Sequence, residues 1–401
     1  MKVLMAVAQS ESSKAGLSTP VLFLMAVASG LCAGGNYFNQ PLLHSISLSL
    51  NVSQSQAALT VTMAQVAYAF GLVLLVPLGD MLERRRLAVT LMLLAAIGQF
   101  TSGFAANFGM LAVGTILAGL FSVAAQILVP MAATLAAPGR SGRAVGMVMS
   151  GLLTGILTAR SVAGLLSGLG GWNTVYRVAG VAMLLLALAL RFSLPSSRNP
   201  TRVRYGEVLA SLVTLFMRFP RLRSRALVGA LSFSSVSALF STMALLLSGP
   251  NYGMSDSAIG LVGLVGVAGA SMASVAGRLA DKGWVQQTTA AGVVLLALSW
   301  GMLWLGVDHL GWFIAGMLVI DLALQAVHIS NQNVVYALAP EARSRLNAVY
   351  MTSYFIGAAS GSALGSLAWR HGGWHATCAV GACLAAFAGM AVWNDRRIAR
   401  A

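Results

Sequence analysis

Twelve apolar stretches, each long enough for a helix that crosses a bilayer, follow one another along this chain with only short polar turns between them. They cover residues 19–43, 58–79, 87–107, 109–136, 144–168, 172–194, 225–248, 257–280, 286–306, 310–338, 346–369 and 372–394. No folded core in water can absorb so much. The chain is 58% hydrophobic and only 9% charged, whereas an ordinary soluble domain is about 25% charged. The expected fold class is an all-α membrane protein of twelve transmembrane helices in contact with the lipid bilayer. Three cysteines, Cys32, Cys378 and Cys383, fall inside spans without metal-ligand spacing and read as small packing residues.

A net charge of +15 raises the question of nucleic acid. That reading needs the basic residues gathered on one folded face. Here 22 of the 25 Lys and Arg fall in the N-terminus, alternate turns and the C-terminus. Arg160 and Arg177 lie within spans, and Arg370 is the exception among the other turns. No nucleic-acid partner is expected. The positive-inside rule instead places both termini and the basic turns in the cytoplasm.

An offset of 202 residues relates the halves: Phe38 to Phe240, Ser53 to Ser255, Pro138 to Pro340, Arg143 to Arg345, and Gly171-Trp172 to Gly373-Trp374. The turn Pro77-Leu78-Gly79-Asp80-Met81-Leu82-Glu83-Arg84-Arg85-Arg86 recurs as Gly277-Arg278-Leu279-Ala280-Asp281-Lys282-Gly283. Self-similarity of this kind marks a duplicated architecture. The expectation is two pseudo-symmetric six-helix bundles, residues 1–194 and 225–401, joined by a cytoplasmic linker over 195–224. Within the linker, Tyr205 to Met217 predicts a short amphipathic helix on the inner leaflet.

These residues resemble the major facilitator superfamily over nearly the whole chain. In its motif Gly-x-Leu-Ala-Asp-Arg-x-Gly-Arg-Arg, Asp80, Arg84 and Arg85 match, while Val76 and Glu83 stand where glycines are usual. The second copy keeps Gly277, Leu279 and Asp281. The runs Tyr37-Phe38-Asn39-Gln40-Pro41-Leu42 and Ala342-Arg343-Ser344-Arg345-Leu346-Asn347-Ala348 are similar to bacterial arabinose-efflux-like and purine-ribonucleoside-efflux-like permeases of drug/proton antiporter type. Ala159-Arg160 replaces the Gly-Pro of the antiporter motif. The resemblance implies a multi-pass protein of the bacterial inner membrane, exporting a small-molecule substrate in exchange for protons, and acting as a monomer. It also implies that spans one, four, seven and ten line the substrate path.

A charge in hydrocarbon costs at least about 2.5–3.5 kcal/mol, so charged residues inside spans point to function. By the boundaries above, Asp321 is the one acid within a span, roughly 15 Å from the outer end at 1.5 Å per residue. Gln325, His328 and Gln332 share its helical face. Desolvation disfavours charge on Asp321 and His328, so both are candidates to carry the coupling proton. The alternative makes Asp321 the fixed partner of a buried arginine and His328 a packing residue. Arg160 can pair with Asp321, hold an anionic or carbonyl-bearing substrate, or bond backbone carbonyls. Asn36, Tyr37, Asn39, Gln40, Gln126, Gln325 and Phe240 are candidate substrate contacts, although such residues also bond between helices.

Asp80 and Asp281, with Arg84, Arg85, Arg143 and Arg345, are candidates for a latch on the inner gate. Alternatively, the arginines simply hold their loops inside. No nucleophile–base pair, no phosphate loop with its Lys and no metal-ligand cluster appears. An enzyme, a nucleotide-driven pump, a metal and a cofactor are therefore not expected.

Overall fold

The structure, a computed structural model, describes residues 17–137, 140–197, 204–266, 272, 275–276, 278–279, 282–339 and 343–399. Asp281 lies outside the described residues, as does the Asp80 side chain. Among the described residues every regular element is helical. Ten stretches are long and apolar enough to cross a membrane. The first six are α1 (Thr19–Ser49), α2 (Gln54–Gly79), α3 (Arg84–Gly103), α4 (Phe108–Leu135), α5 (Arg143–Gly170) and α6 (Trp172–Ser193).

A linker helix, Tyr205–Arg218, follows where the amphipathic pattern predicted one. It buries Val208, Leu212 and Leu215 along one face, and the Tyr205 hydroxyl donates to the Leu74 carbonyl. Next come α7 (Pro220–Leu247), the shorter α8 (Asp256–Gly266), α9 (Val285–Leu305) and α10 (Leu310–Leu338), the last with the predicted bounds. The final element, α11 (Arg343–Ile398), has 56 residues but is broken by non-helical backbone at Gly372 and Gly373. It therefore accounts for two predicted spans.

The repeat partners adopt matching local geometry. Ser53 and Ser255 are both N-caps, each accepting from the backbone N–H three residues on, which satisfies one of the orphan donors of a helix start. Gly171 and Gly373 both have positive φ, 82° and 60°, a region open to glycine without steric cost. Trp172 and Trp374 follow them into the interior.

The same correspondence governs packing. Gly155 of α5 lies against the Gly30 backbone of α1, and Gly357 of α11 against the Ala230 backbone of α7, so closely that a Cβ at either glycine has no room. Such approach matters in lipid, where burial of apolar surface gives helices no reason to pair.

Polar contacts close the end opposite the basic turns. Asp256 Oδ2 accepts from the Ser45 hydroxyl at 2.5 Å and from Ser167 at 2.9 Å, uniting α8, α1 and α5. Ser161 donates to the Gly260 carbonyl at 2.8 Å, and Trp369 Nε1 to Gln54 Oε1 at 3.3 Å.

One expectation is corrected. The last predicted span stops at residue 394, but the helix runs on to Ile398 and carries a second acid, Asp395, into the interior at 0% exposure. It survives there because Arg225, also 0% exposed, pairs with it at 2.7 Å.

Candidate functional site

Helix α1 is not continuous where its polar residues cluster. Its regular part ends at Gly34, and two tight 3-10 turns, Gly35–Tyr37 and Gln40–Leu42, precede Leu43–Ser49. Pro41 lacks an N–H and cannot continue the α-helical ladder. Interrupted helices are tolerated at membrane depth where protein or a wet cavity surrounds them. The broken segment offers two faces, one with Tyr37 and Gln40 and the other with Asn36 and Asn39.

The first face meets Arg160 of α5. Its Nε donates to Gln40 Oε1 at 2.5 Å. The guanidinium stacks 3.5 Å from the Phe240 ring centroid and 5.2 Å from that of Tyr37. Stacking covers the plane of the cation and leaves its N–H edge directed sideways. Among the described residues neither Nη atom has a hydrogen-bond partner, although Arg160 is only 4% exposed.

Asp321 of α10 supplies the opposing charge felt by Arg160. No N–O approach within the 4.0 Å of an ion pair is made, however. The Asp321 Oδ2 atom is buried without a partner. The tight turn Gly263–Gly266 at the end of α8 covers both groups. A Cβ at Gly263 would stand 3.1 Å from Arg160 Cβ, and one at Gly266 would stand 2.6 Å from Asp321 Oδ2. A side chain at Gly266 would make the carboxylate or the roof shift, and one at Gly263 would make Arg160 give way slightly.

Further along α10, Gln325 and His328 are half-buried on the Asp321 side. The His328 ring shares a hydrogen bond from Nδ1 with the Tyr350 hydroxyl at 3.1 Å and packs 4.7 Å from Tyr354. Tyr354 in turn stacks on Phe233 at 4.1 Å. Gln126 of α4 donates to the Tyr68 hydroxyl at 3.2 Å. The arrangement is an arginine and a carboxylate, each with unused hydrogen-bonding capacity, among aromatic rings from α1, α7 and α11. Chemically it can take a molecule that accepts from Arg160, donates to Asp321 and offers an apolar or ring face between them.

Asn36 and Asn39 turn away from this cluster. The Asn36 amide donates to the Ala33 carbonyl and that of Asn39 to Thr60 Oγ1, and both residues line a separate small cavity with Gln99, Ser102, Thr115 and Tyr176.

At the basic end, Arg84 Nε donates to the Gly79 carbonyl and Nη1 to Thr134 Oγ1, both at 3.0 Å, while Arg85 Nη1 donates to the Leu194 carbonyl at 2.9 Å. These bonds tie the α2–α3 turn to α4 and to the end of α6. Arg143 and Arg345 are exposed.

Two groups escaped the sequence reading. Glu83, standing where a glycine is usual, caps α3 by accepting from the N–H groups of Arg85 and Arg86, and also accepts from Ser197 N at 2.9 Å. Burial alone would raise its pKa. The backbone bonds from Ser197, Arg86 and Arg85 and the Arg85 charge outweigh that, and the carboxyl lies below its ordinary value. The second is the Arg225–Asp395 pair, where Arg225 also donates to Thr289, Asn331 and Gln286. An acid after a polar turn and one in a capping position look alike in sequence, and no local pattern joins Arg225 to Asp395.

The comparisons agree with this architecture. The family model of the Major Facilitator Superfamily matches residues 25–341. The chain is 50% identical over 377 residues to "Uncharacterized transporter YgaY" of Escherichia coli O157:H7, covering 94% of this chain and 95% of that one. It is 25% identical over 303 residues to "Probable sugar efflux transporter" of Helicobacter acinonychis, covering 75% of each. A crystal structure of a D-xylose-proton symporter superposes with a TM-score of 0.73 at 16% identity, over 93% of this chain and 97% of that one, a likeness of fold. With a profile match across most of its length and a half-identical transporter relative, this chain belongs to the major facilitator superfamily, as a multi-pass membrane transport protein rather than an enzyme.

Proposed function

We propose that the protein is a secondary active transporter of the bacterial inner membrane that exports a small organic solute, sugar- or nucleoside-like, in exchange for protons. Two six-helix bundles, residues 1–194 and 225–401, make up twelve spans with both termini cytoplasmic. They rock about a midplane site to give alternating access. The observation that carries this reading is the juxtaposition of Arg160 and Asp321, buried within mutual electrostatic reach yet unpaired. A hydroxyl-rich solute suits it, because each hydroxyl both donates and accepts.

Proton exchange rests on Asp321, which takes up a proton as substrate leaves on the more acidic outer side and releases it when the cavity opens to the less acidic cytoplasm, where substrate binds in its place. His328, linked to Tyr350, is the second candidate carrier. Arg160 holds the acceptor side of the substrate, with Tyr37, Gln40 and Phe240 as its frame and Gln325 and Gln126 further along the path. Ties through Asp256 join the two halves at the end opposite the basic turns, which is the outer end in this orientation.

Proteoliposomes test the reading. A radiolabelled pentose and a radiolabelled nucleoside should move against their gradients when the opposite compartment is acidified, and Asp321→Asn should uncouple that movement. Substrate accumulation driven by protons moving in the same direction would make the protein an uptake symporter, and movement indifferent to the proton gradient would make it a uniporter. No movement of any solute would leave a membrane sensor on a transporter scaffold.

A further inference from the structure

We propose that His328 presents a fixed Nε2–H donor to the substrate path, and that Asn331 and Tyr350 are the positioning residues that fix it. This donor belongs to the transport site described above and rests on that reading. The chain of bonds that orients it begins at the Arg225–Asp395 pair, where the carboxylate holds the guanidinium at 2.7 Å.

Arg225, Asn331 and Tyr350 are fully buried. The Asn331 amide lies between two groups of Arg225 whose roles cannot be exchanged. Its Oδ1 is 3.2 Å from Arg225 Nη1, which can only donate, and its Nδ2 is 3.3 Å from the Arg225 carbonyl, which can only accept. A flipped amide would set donor against donor and acceptor against acceptor. Nδ2 is therefore fixed in place, and it also donates to the Tyr350 hydroxyl oxygen at 3.5 Å.

The Tyr350 oxygen then has its own hydrogen to place. Among the described residues the other partner of that hydroxyl is His328 Nδ1, at 3.1 Å. A buried O–H finds an acceptor as a rule. Tyr350 thus donates, Nδ1 accepts, and the neutral imidazole carries its hydrogen on Nε2. Gly229 of α7 leaves the phenol its place, since a Cβ there would stand 2.9 Å from the hydroxyl oxygen. Tyr354, 4.7 Å away, packs against the imidazole.

His328 Nε2 makes no hydrogen bond among the described residues, and the ring is half-buried on the side of α10 that carries Asp321 and Gln325. Seven residues separate His328 from Asp321, about 10 Å along the helix. A solute on this path therefore needs an acceptor at His328, such as a hydroxyl, carbonyl or ring nitrogen, well apart from the group that donates to Asp321. Of the two candidate proton carriers this leaves Asp321, because a proton added to Nδ1 would strand the Tyr350 hydrogen.

Magic-angle-spinning NMR of the full-length protein in liposomes, with histidine labelled by an NMR-active nitrogen isotope, reads the tautomer without any substrate. Loss of signal in His328→Gln assigns the resonances. The expected result at neutral pH is an unprotonated, hydrogen-bonded Nδ1 and a protonated Nε2. Tyr350→Phe keeps the ring and should move Nδ1 to the resonance of an unbonded imine nitrogen. Asn331→Asp replaces the amide donor by an acceptor, so the Tyr350 hydrogen should turn to it and the His328 hydrogen should pass to Nδ1. A hydrogen on Nδ1 in the parent, or spectra that both substitutions leave unchanged, overturns the proposal. His328→Gln, whose amide nitrogen reaches the Nε2 position, should keep the affinity for the labelled pentose or nucleoside carried in proteoliposomes, whereas His328→Asn should weaken it about tenfold. Equal loss in both overturns the donor role. A parent that binds neither solute overturns the transport reading instead, and the tautomer still stands or falls by its spectrum.

Discussion

Arg160 of α5 and Asp321 of α10 lie buried under one glycine turn of α8, close enough to feel each other's charge and too far apart to bond. An Arg and an Asp sharing a dry site normally close into a pair, because an unpaired buried charge is expensive. Here Gln40 and the Phe240 and Tyr37 rings hold the guanidinium instead. Its terminal N–H groups and the carboxylate are left for something else to use.

Arg160→Lys should weaken substrate binding about as much as Arg160→Gln, roughly 10- to 100-fold in Kd. An ammonium keeps the charge but loses the stacked plane and the sideways N–H edge. Equilibrium binding of a transported sugar or nucleoside measures this. Near-wild-type affinity in the lysine variant would mean that charge alone suffices.

Gly266→Ala should impair transport without replacing a charged group. The added methyl would stand 2.6 Å from Asp321 Oδ2, so either the roof lifts or the carboxylate turns. Overpacking of this kind costs about 1–3 kcal/mol. Uptake and efflux assays paired with a melting curve separate the local effect from general loss of fold.

Asp256→Ala should open the outer end. It removes the acceptor of the Ser45 and Ser167 hydroxyls, and hydrogen bonds to a charged group are worth about 1.5–3 kcal/mol each when well shielded. Asp256 is half-exposed, which reduces that figure. Spin labels at Ser49→Cys and Asn251→Cys should report a larger population of separated ends than in the parent. Unchanged distances would show that the remaining α5–α8 contacts suffice.

Asp395→Asn should destabilise by about 3–5 kcal/mol, because Arg225 stays buried with its charge uncompensated. The double replacement Arg225→Met with Asp395→Leu should recover most of that loss. Chemical unfolding of Arg225→Met, Asp395→Leu and the double variant forms the cycle, and additivity of the single effects would deny the pairing an energetic role.

Glu83→Gln should lower stability at neutral pH and cease to matter in acid. The folded-state pKa of Glu83 lies below its ordinary value. Its stabilisation is therefore present above the unfolded-state pKa and is lost as pH falls through the lower folded-state value. Melting temperatures of parent and variant should converge as the pH is taken down through and below the ordinary glutamate range. A difference that persisted there would point to shape rather than charge.

The chain by itself determined what depends on neighbours along the helix or on composition. Lengths of apolar runs anticipated the long apolar helices, the spread of Lys and Arg gave an expectation of orientation, and the offset of 202 residues anticipated Ser53 with Ser255 and Gly171 with Gly373 in matching roles. The polar stripe through Asp321 and His328 was readable too, since residues three, four and seven apart share a face. What only the tertiary structure decided is which polar group meets which. Asn36 and Asn39 sit beside Tyr37 and Gln40 in sequence, yet a 3-10 turn of about 120° per residue, which aligns residues three apart, sends the two pairs to different sites. Gln40 finds Arg160 120 residues away, and Arg225 finds Asp395 through the last turn of a helix that the sequence reading ended four residues too early. Those meetings follow from how closely glycine-faced helices approach and which faces they then present. That is a property of the packed assembly, and no local pattern encodes it.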